Sequence, residues 1–190
     1  MGSWRTSFHT KVSTPVPEDI DAKAVINAFH DHDFIIRTQP IVTRHEVRDR
    51  NPDTGKLTYD VWENIDLLPF GLWKHEIQFT CAFTDKKDGT TTAISAPMGF
   101  DSQATYQIKP GADWDGEGGG WMIEESIESQ CNVLLKWFIQ GTMVPVRRKM
   151  HAQILEHVRE VERKERASEA RRSEASRASG GVDRPDGNFI

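Results

Sequence analysis

GTMVPVRRKMHAQILEHVREV, residues 141–161, sets Val146, Met150, Ile154, Val158 and Val161 at spacings of three and four. That spacing puts one apolar stripe along a helix. Pro145 suits the first helical turn, where the N–H it lacks would have no partner. A helix with one apolar stripe needs a second apolar surface to cover it, and the rest of the chain has to supply that surface.

Upstream of this segment the hydrophobic period changes from helical to two. Residues 41–49, 57–66, 73–84, 90–98, 101–109 and 121–131 read as strands. Their separators, NPDTGK, DKKDG and GADWDGEGGG, are built from turn residues, so the strands form an antiparallel meander. At the start, Trp4, Thr6, Phe8, Thr10 and Val12 alternate with Arg5, Ser7, His9 and Lys11, a first strand. Pro15 and Pro17 then close it, and Ile20, Ala24, Val25, Ala28 and Phe29 follow at helical spacing as one amphipathic helix or a broken pair. After Glu162 the stripe stops. Pairs such as Glu162 with Arg166 can prolong the helix, and the remainder is expected to be disordered. The expected class is α+β: a bent antiparallel sheet of six to seven strands around a long C-terminal helix, domain 1–162, with a charged tail over 163–190.

With 190 residues, 37% of them hydrophobic, the chain is long enough for one real core. Its net charge of −5 argues against a nucleic-acid partner, since phosphate binding rests on positive charge. Cys81 and Cys131 are far apart, lack metal-ligand spacing and sit in apolar strands, so both read as reduced core thiols. No stretch has the length of a membrane span, and no signal peptide opens the chain; a cytoplasmic protein without stable membrane insertion is expected. Gly2 and Thr6 fit an N-terminal acylation pattern, but the same residues lead into the first strand.

Four polar residues share the apolar parity of their strands. His45 lies in step with Ile41, Thr43 and Val47, and Glu63 with Leu57, Tyr59, Val61 and Ile65. His75 lies in step with Trp73, Phe79 and Cys81, and Glu125 with Trp121, Ile123 and Ile127. Pairing Arg50 near Lys56 sets Thr43 opposite Glu63 and His45 opposite Val61, which makes His45 and Glu63 diagonal neighbours on one face. Buried groups of this kind must be paired, and burial moves their pKa toward values useful for proton transfer. Glu63, His45 and His75 are therefore the candidate catalytic residues. HDHD at His30–Asp33 looks metal-friendly, but His30 and His32 point to opposite sides of a helix, and a helix end with well-placed histidines fits better. Neither a metal nor a cofactor is expected. Arg147, Arg148 and Lys149 read as the solvated face of the last helix, with anionic headgroup binding as the other option.

STPVPEDID, FHDHDFI, ENIDLLPFGLWKHEIQF, SAPMGFDSQATYQI and GTMVPVRRKMHAQILEHV, in that order, resemble a fungal branch of the START/Bet v 1-like helix-grip superfamily over residues 3–160. The resemblance implies a cavity between sheet and helix, and the wider superfamily's roles as carriers of lipids, hormones and polyketides or as cofactor-free cyclases and aromatases. It brings no catalytic residues with it. In such a fold the apolar turn Leu67–Trp73 can overhang the cavity mouth, with Leu68, Phe70 and Leu72 as a lip and Gly71 as its hinge. Leu68, Phe70, Trp73, Phe79, Tyr106, Glu125 and Met150 are the expected ligand contacts. The expected function is binding of a polyketide-, terpenoid- or lipid-like molecule, with cyclase or isomerase chemistry of secondary metabolism. The alternatives are a non-enzymatic carrier and a protein-interaction domain whose cavity is filled by its own side chains.

Overall fold

The computed structural model describes residues 4–39, 41–66, 74–111 and 120–179. Strand β1 (Arg5–Pro15) leads to two short helices, α1 (Ala22–His30) and α2 (His32–Arg37). The meander follows as β2 (Val42–Arg50), β3 (Leu57–Asp66), β4 (Lys74–Lys86), β5 (Gly89–Ala96), β6 (Phe100–Pro110) and β7 (Trp121–Asn132), and the long helix α3 (Val133–Ser179) closes the chain. The sheet is antiparallel in the order β1-β7-β6-β5-β4-β3-β2, so the first strand returns to pair with the last. Both cysteines are buried and free.

The helix pair is broken at Asp31, which serves both helices. Its N–H reaches the carbonyls of Asn27 and Ala28 at the end of α1, and its carboxylate accepts from Phe34 N at 3.1 Å at the start of α2. The two histidines around it do more than end a helix. His30 Nε2 reaches the carbonyl oxygens of Lys86 and Gly89, and His32 stacks on Phe83 at 4.3 Å while bonding Asp85 at 2.9 Å. Together they fasten the helix junction to the β4–β5 hairpin.

Two sequence expectations need correction. The last helix begins at Val133, well before Pro145, and Pro145 lies inside it. Residues 133–146 are apolar nearly all round, so no stripe marks them as helical, and Gly141 and Pro145 look like breakers. The second correction is a register shift between Val42 and Arg44, which places Val42 opposite Glu63 while His45 stays opposite Val61. A bulge there takes Thr43 out of the ladder.

The core lies between the inner sheet face and the helices. Met150, Ile154, Leu155 and Val158 of α3 are buried against Val25 and Phe29 of α1 and the inward residues of the sheet. Beyond Glu162 the helix continues to Ser179, its side chains exposed over 163–176, carried at first by pairs such as Arg166–Glu162 at 2.7 Å. No helix among the described residues is long and apolar enough to cross a membrane.

Candidate functional site

Polar side chains converge where β6 and β7 face α3. Alternation along β7 turns Ile123, Glu125 and Ile127 inward, and β6 turns Tyr106 beside them. On α3, Arg147, Met150, His151 and Ile154 occupy one face at i, i+3, i+4 and i+7. Glu125 and His151 are fully buried, and Arg147 is 12% exposed. Glu125 Oε1 lies 3.4 Å from Arg147 Nε, and Oε2 lies 3.2 Å from His151 Nε2. Arg147 Nη1 donates to the Tyr106 hydroxyl at 2.9 Å, and His151 Nδ1 meets Thr14 Oγ1 of β1 at 2.9 Å. Among the described residues neither Glu125 oxygen nor His151 Nε2 has a hydrogen bond of good geometry, and the carboxylate lies within ion-pair distance of Arg147 and His151.

The electrostatics follow from burial. Burial raises the Tyr106 hydroxyl well above its ordinary pKa; Arg147 opposes this and Glu125 adds to it. Burial pulls the Arg147 guanidinium down, but its electrostatic interactions with Tyr106 and Glu125 outweigh that and raise it. The group stays a fixed positive charge. Nearby, burial pushes the Cys81 thiol up to about 12, which keeps it protonated.

Arg147 and Tyr106 close one end of an apolar space between α2, β3, β4 and β5, lined by Ile35, Ile36, Val61, Phe79, Cys81 and Ile94 among others. Its free volume is about 20 Å³, room for one water-sized body. A drug-sized ligand needs about 300 Å³ or more. Among the described residues this space is too small for such a ligand, and Ile35 and Ile36 of α2 are among the side chains that line it. A larger hollow of about 860 Å³ lies open on the sheet's outer side among residues such as Ser7, Thr80, Gln103 and Glu128, away from the buried charges.

Of the residues expected to contact a ligand, Phe79 and Tyr106 line this space, while Glu125 and Met150 lie against Arg147, with Met150 Sδ 3.8 Å from its Nη1. Glu63 sits half-buried on the inward parity of β3, and burial raises its carboxyl to about 7 against the opposing charge of Arg147. His45 does not pair with Glu63. Its Nε2 binds Asp33 of α2 at 2.6 Å, because the helix brings a carboxylate over β2 that strand register alone could not reveal. The side chain of His75 lies outside the described residues, as do Leu68, Phe70, Gly71, Leu72 and Trp73. Arg147 is the clearest miss: Arg148 and Lys149 are exposed, whereas Arg147 turns inward. Arg147 stands seven residues before Ile154, and His151 stands seven before Val158. Extending the apolar stripe backward by heptads would have found both. Among the described residues no group of three or more His, Cys, Asp or Glu side chains is placed to hold a metal ion.

The Glu63 carboxyl makes a prediction about stability. Its folded pKa of about 7 lies above the ordinary 4.5, so the stability contributed by its protonated form is full below about 4.5 and lost as pH rises through about 7. The urea midpoint should fall across that window. In a Glu63→Gln chain the fall should be shallower, and an unchanged slope would contradict the burial assigned to Glu63.

The sequence family described as Domain of unknown function (DUF7053) matches residues 4–160. No curated protein matches the chain. Among solved structures, TTHA0849 of Thermus thermophilus aligns with TM-score 0.53 at 15% identity, covering 80% of this chain and 97% of that one. The Zhui aromatase/cyclase of Streptomyces sp. R1128 aligns with TM-score 0.52 at 9% identity, over 81% of this chain and 93% of that one. A norcoclaurine synthase point mutant from Thalictrum flavum, solved with a transition-state analogue, aligns with TM-score 0.52 at 14% identity, over 83% and 96%. At these identities the likeness shows the fold: the helix-grip arrangement of Bet v 1-like and polyketide-cyclase proteins.

Proposed function

We propose that this chain, which belongs to the family described as Domain of unknown function (DUF7053), binds an apolar small molecule between α2, the sheet and α3 and carries out cofactor-free cyclase- or isomerase-type chemistry on it. The observation that carries this reading is a fixed guanidinium, Arg147, at the end of an apolar enclosure that also feels a carboxyl poised near neutrality, Glu63. The fold's occurrence in an aromatase/cyclase and in norcoclaurine synthase supports it.

The chemistry assigns each group one task. Glu63, half ionised near pH 7, removes a proton from carbon next to a substrate carbonyl; a base is most effective when its pKa lies near the working pH. Arg147 and the Tyr106 hydroxyl face the oxygen on which negative charge develops, in surroundings from which water is excluded. Returning the proton to another carbon isomerises the substrate; alternatively the enolate carbon attacks a second carbonyl, closing a ring, and the alkoxide so formed takes back the proton held by Glu63. The apolar walls hold a flexible substrate in the conformation that reacts.

Deuterium exchange into the carbon beside the carbonyl of 2-tetralone, followed by NMR, tests this reading without the natural substrate. Wild-type protein should speed exchange, and Glu63→Gln should lower the rate by about 10²–10⁴-fold while leaving 2-tetralone binding within a few-fold. Binding without any acceleration would favour a carrier, a reading consistent with Glu125 already neutralising Arg147.

A further inference from the structure

Burying Arg147 and Glu125 together leaves the resting cluster electrically neutral when His151 is neutral. An anionic oxygen set against Arg147 would upset that balance, and in so dry a place an uncompensated charge is costly. His151 is built to restore it. Its two ring nitrogens face oxygens, Nδ1 the Thr14 hydroxyl at 2.9 Å and Nε2 the Glu125 carboxylate at 3.2 Å. The carboxylate only accepts, while the Thr14 hydroxyl donates to Nδ1 of the neutral ring or accepts from it in the doubly protonated ring, so His151 can gain a proton without losing either partner. In the resting structure Nε2 has no directed hydrogen bond among the described residues.

We infer that the ligand of this site is an acid bound as its anion, an enolate, phenolate or carboxylate held by Arg147, and that His151 takes up a proton from solvent to balance the bound charge. The inference rests on the binding site proposed above and adds the ligand's charge and the residue that compensates it. The groups around His151 leave few other places for that proton. Glu125 comes from β7, Tyr106 from β6 and Arg147 from the preceding turn of α3, while α1 contributes apolar Val25 and Phe29. Burial keeps the Tyr106 hydroxyl and the Cys81 thiol protonated already. Glu63, raised by burial to about 7, is a competitor for that proton.

Calorimetric titration of the full chain at pH 7.5, in phosphate and in Tris, reads the protons taken up per ligand bound. The probes are 1-anilinonaphthalene-8-sulfonate, a fixed anion, and N-phenyl-1-naphthylamine, the same skeleton without the charge. The sulfonate should bind with uptake of more than about half a proton, and the neutral amine with close to none. His151→Gln should abolish the uptake and weaken the sulfonate about tenfold while leaving the amine within about twofold. Glu125→Gln should act in the opposite direction, tightening the sulfonate about tenfold and also removing the uptake, because Arg147 is then no longer neutralised. A purely structural role for either residue would weaken both probes alike. Uptake should persist in Glu63→Gln, and its loss there would assign the proton to Glu63 and overturn the inference. Equal binding of both probes without uptake would overturn the inference but spare the site. Binding of neither would overturn both.

Discussion

Replacing Arg147 with Met should cost about 3–5 kcal/mol of folding stability, more than almost any exposed arginine could. The guanidinium is the fixed positive charge beside Glu125, whose two carboxylate oxygens are buried without directed hydrogen bonds among the described residues. Removing it leaves a buried carboxylate beside a histidine, and the protein must then protonate Glu125, charge His151 or open. Each route takes free energy from a total of only about 5–15 kcal/mol. The loss should shrink on acidification, as protonation becomes easier. Replacing Glu125 with Leu in the Arg147→Met background should restore most of the stability, since an apolar pair of similar volume leaves no orphaned charge. Urea unfolding of the two single variants and the double variant reads the coupling directly. A loss below about 1 kcal/mol for Arg147→Met, or additive losses, would mean that water reaches the pair and that the buried ionic core assigned here is wrong.

That ionic core marks the boundary of what was legible in the sequence. The strands were legible because their alternation is local: Tyr59, Val61 and Glu63 share a face whatever the rest of the chain does. Glu125 was found in the same way, from its step with Ile123 and Ile127. Its partners were not, because Arg147 lies in a run of three basic residues whose other two, Arg148 and Lys149, are exposed as expected. The difference between Arg147 and Arg148 is one step of about 100° around a helix whose start was misplaced. Val133–Val144 gives no amphipathic signal, so the phase of α3 could be read only from Val146 onward. His45 failed for another reason. Its position opposite Val61 was right, but its partner Asp33 comes from a six-residue helix whose approach to β2 is a matter of tertiary packing. Pairings across elements distant in sequence are set by the whole core, and no local period encodes them.

A chain ending after Val144 should fail to fold cooperatively, whereas one ending after Ser168 should melt within about 2 °C of the full chain. The shorter chain keeps all seven strands and the first turns of α3 but loses Met150, Ile154, Leu155 and Val158, all buried in the core. Full burial of such side chains contributes about 1.5–3 kcal/mol each, so the four together are comparable to the entire stability of a domain this size. The same cut removes Arg147 and His151 and strands Glu125 on an uncovered sheet face. The described side chains that the longer truncation removes, 169–176, are all exposed. It spares the Arg166–Glu162 pair and the bonds from Arg159 to Asp19 that tie α3 to the segment before α1. Solvent-exposed pairs along the removed turns contribute about a few tenths of a kcal/mol at most, and isolated helix of that length is marginal on its own. Circular dichroism melts of the three chains decide the matter. Cooperative melting of the chain ending at Val144 would show that the sheet can bury its inner face without the second half of α3. The Arg147–Glu125–His151 cluster would then lie on a removable cover and not in the core.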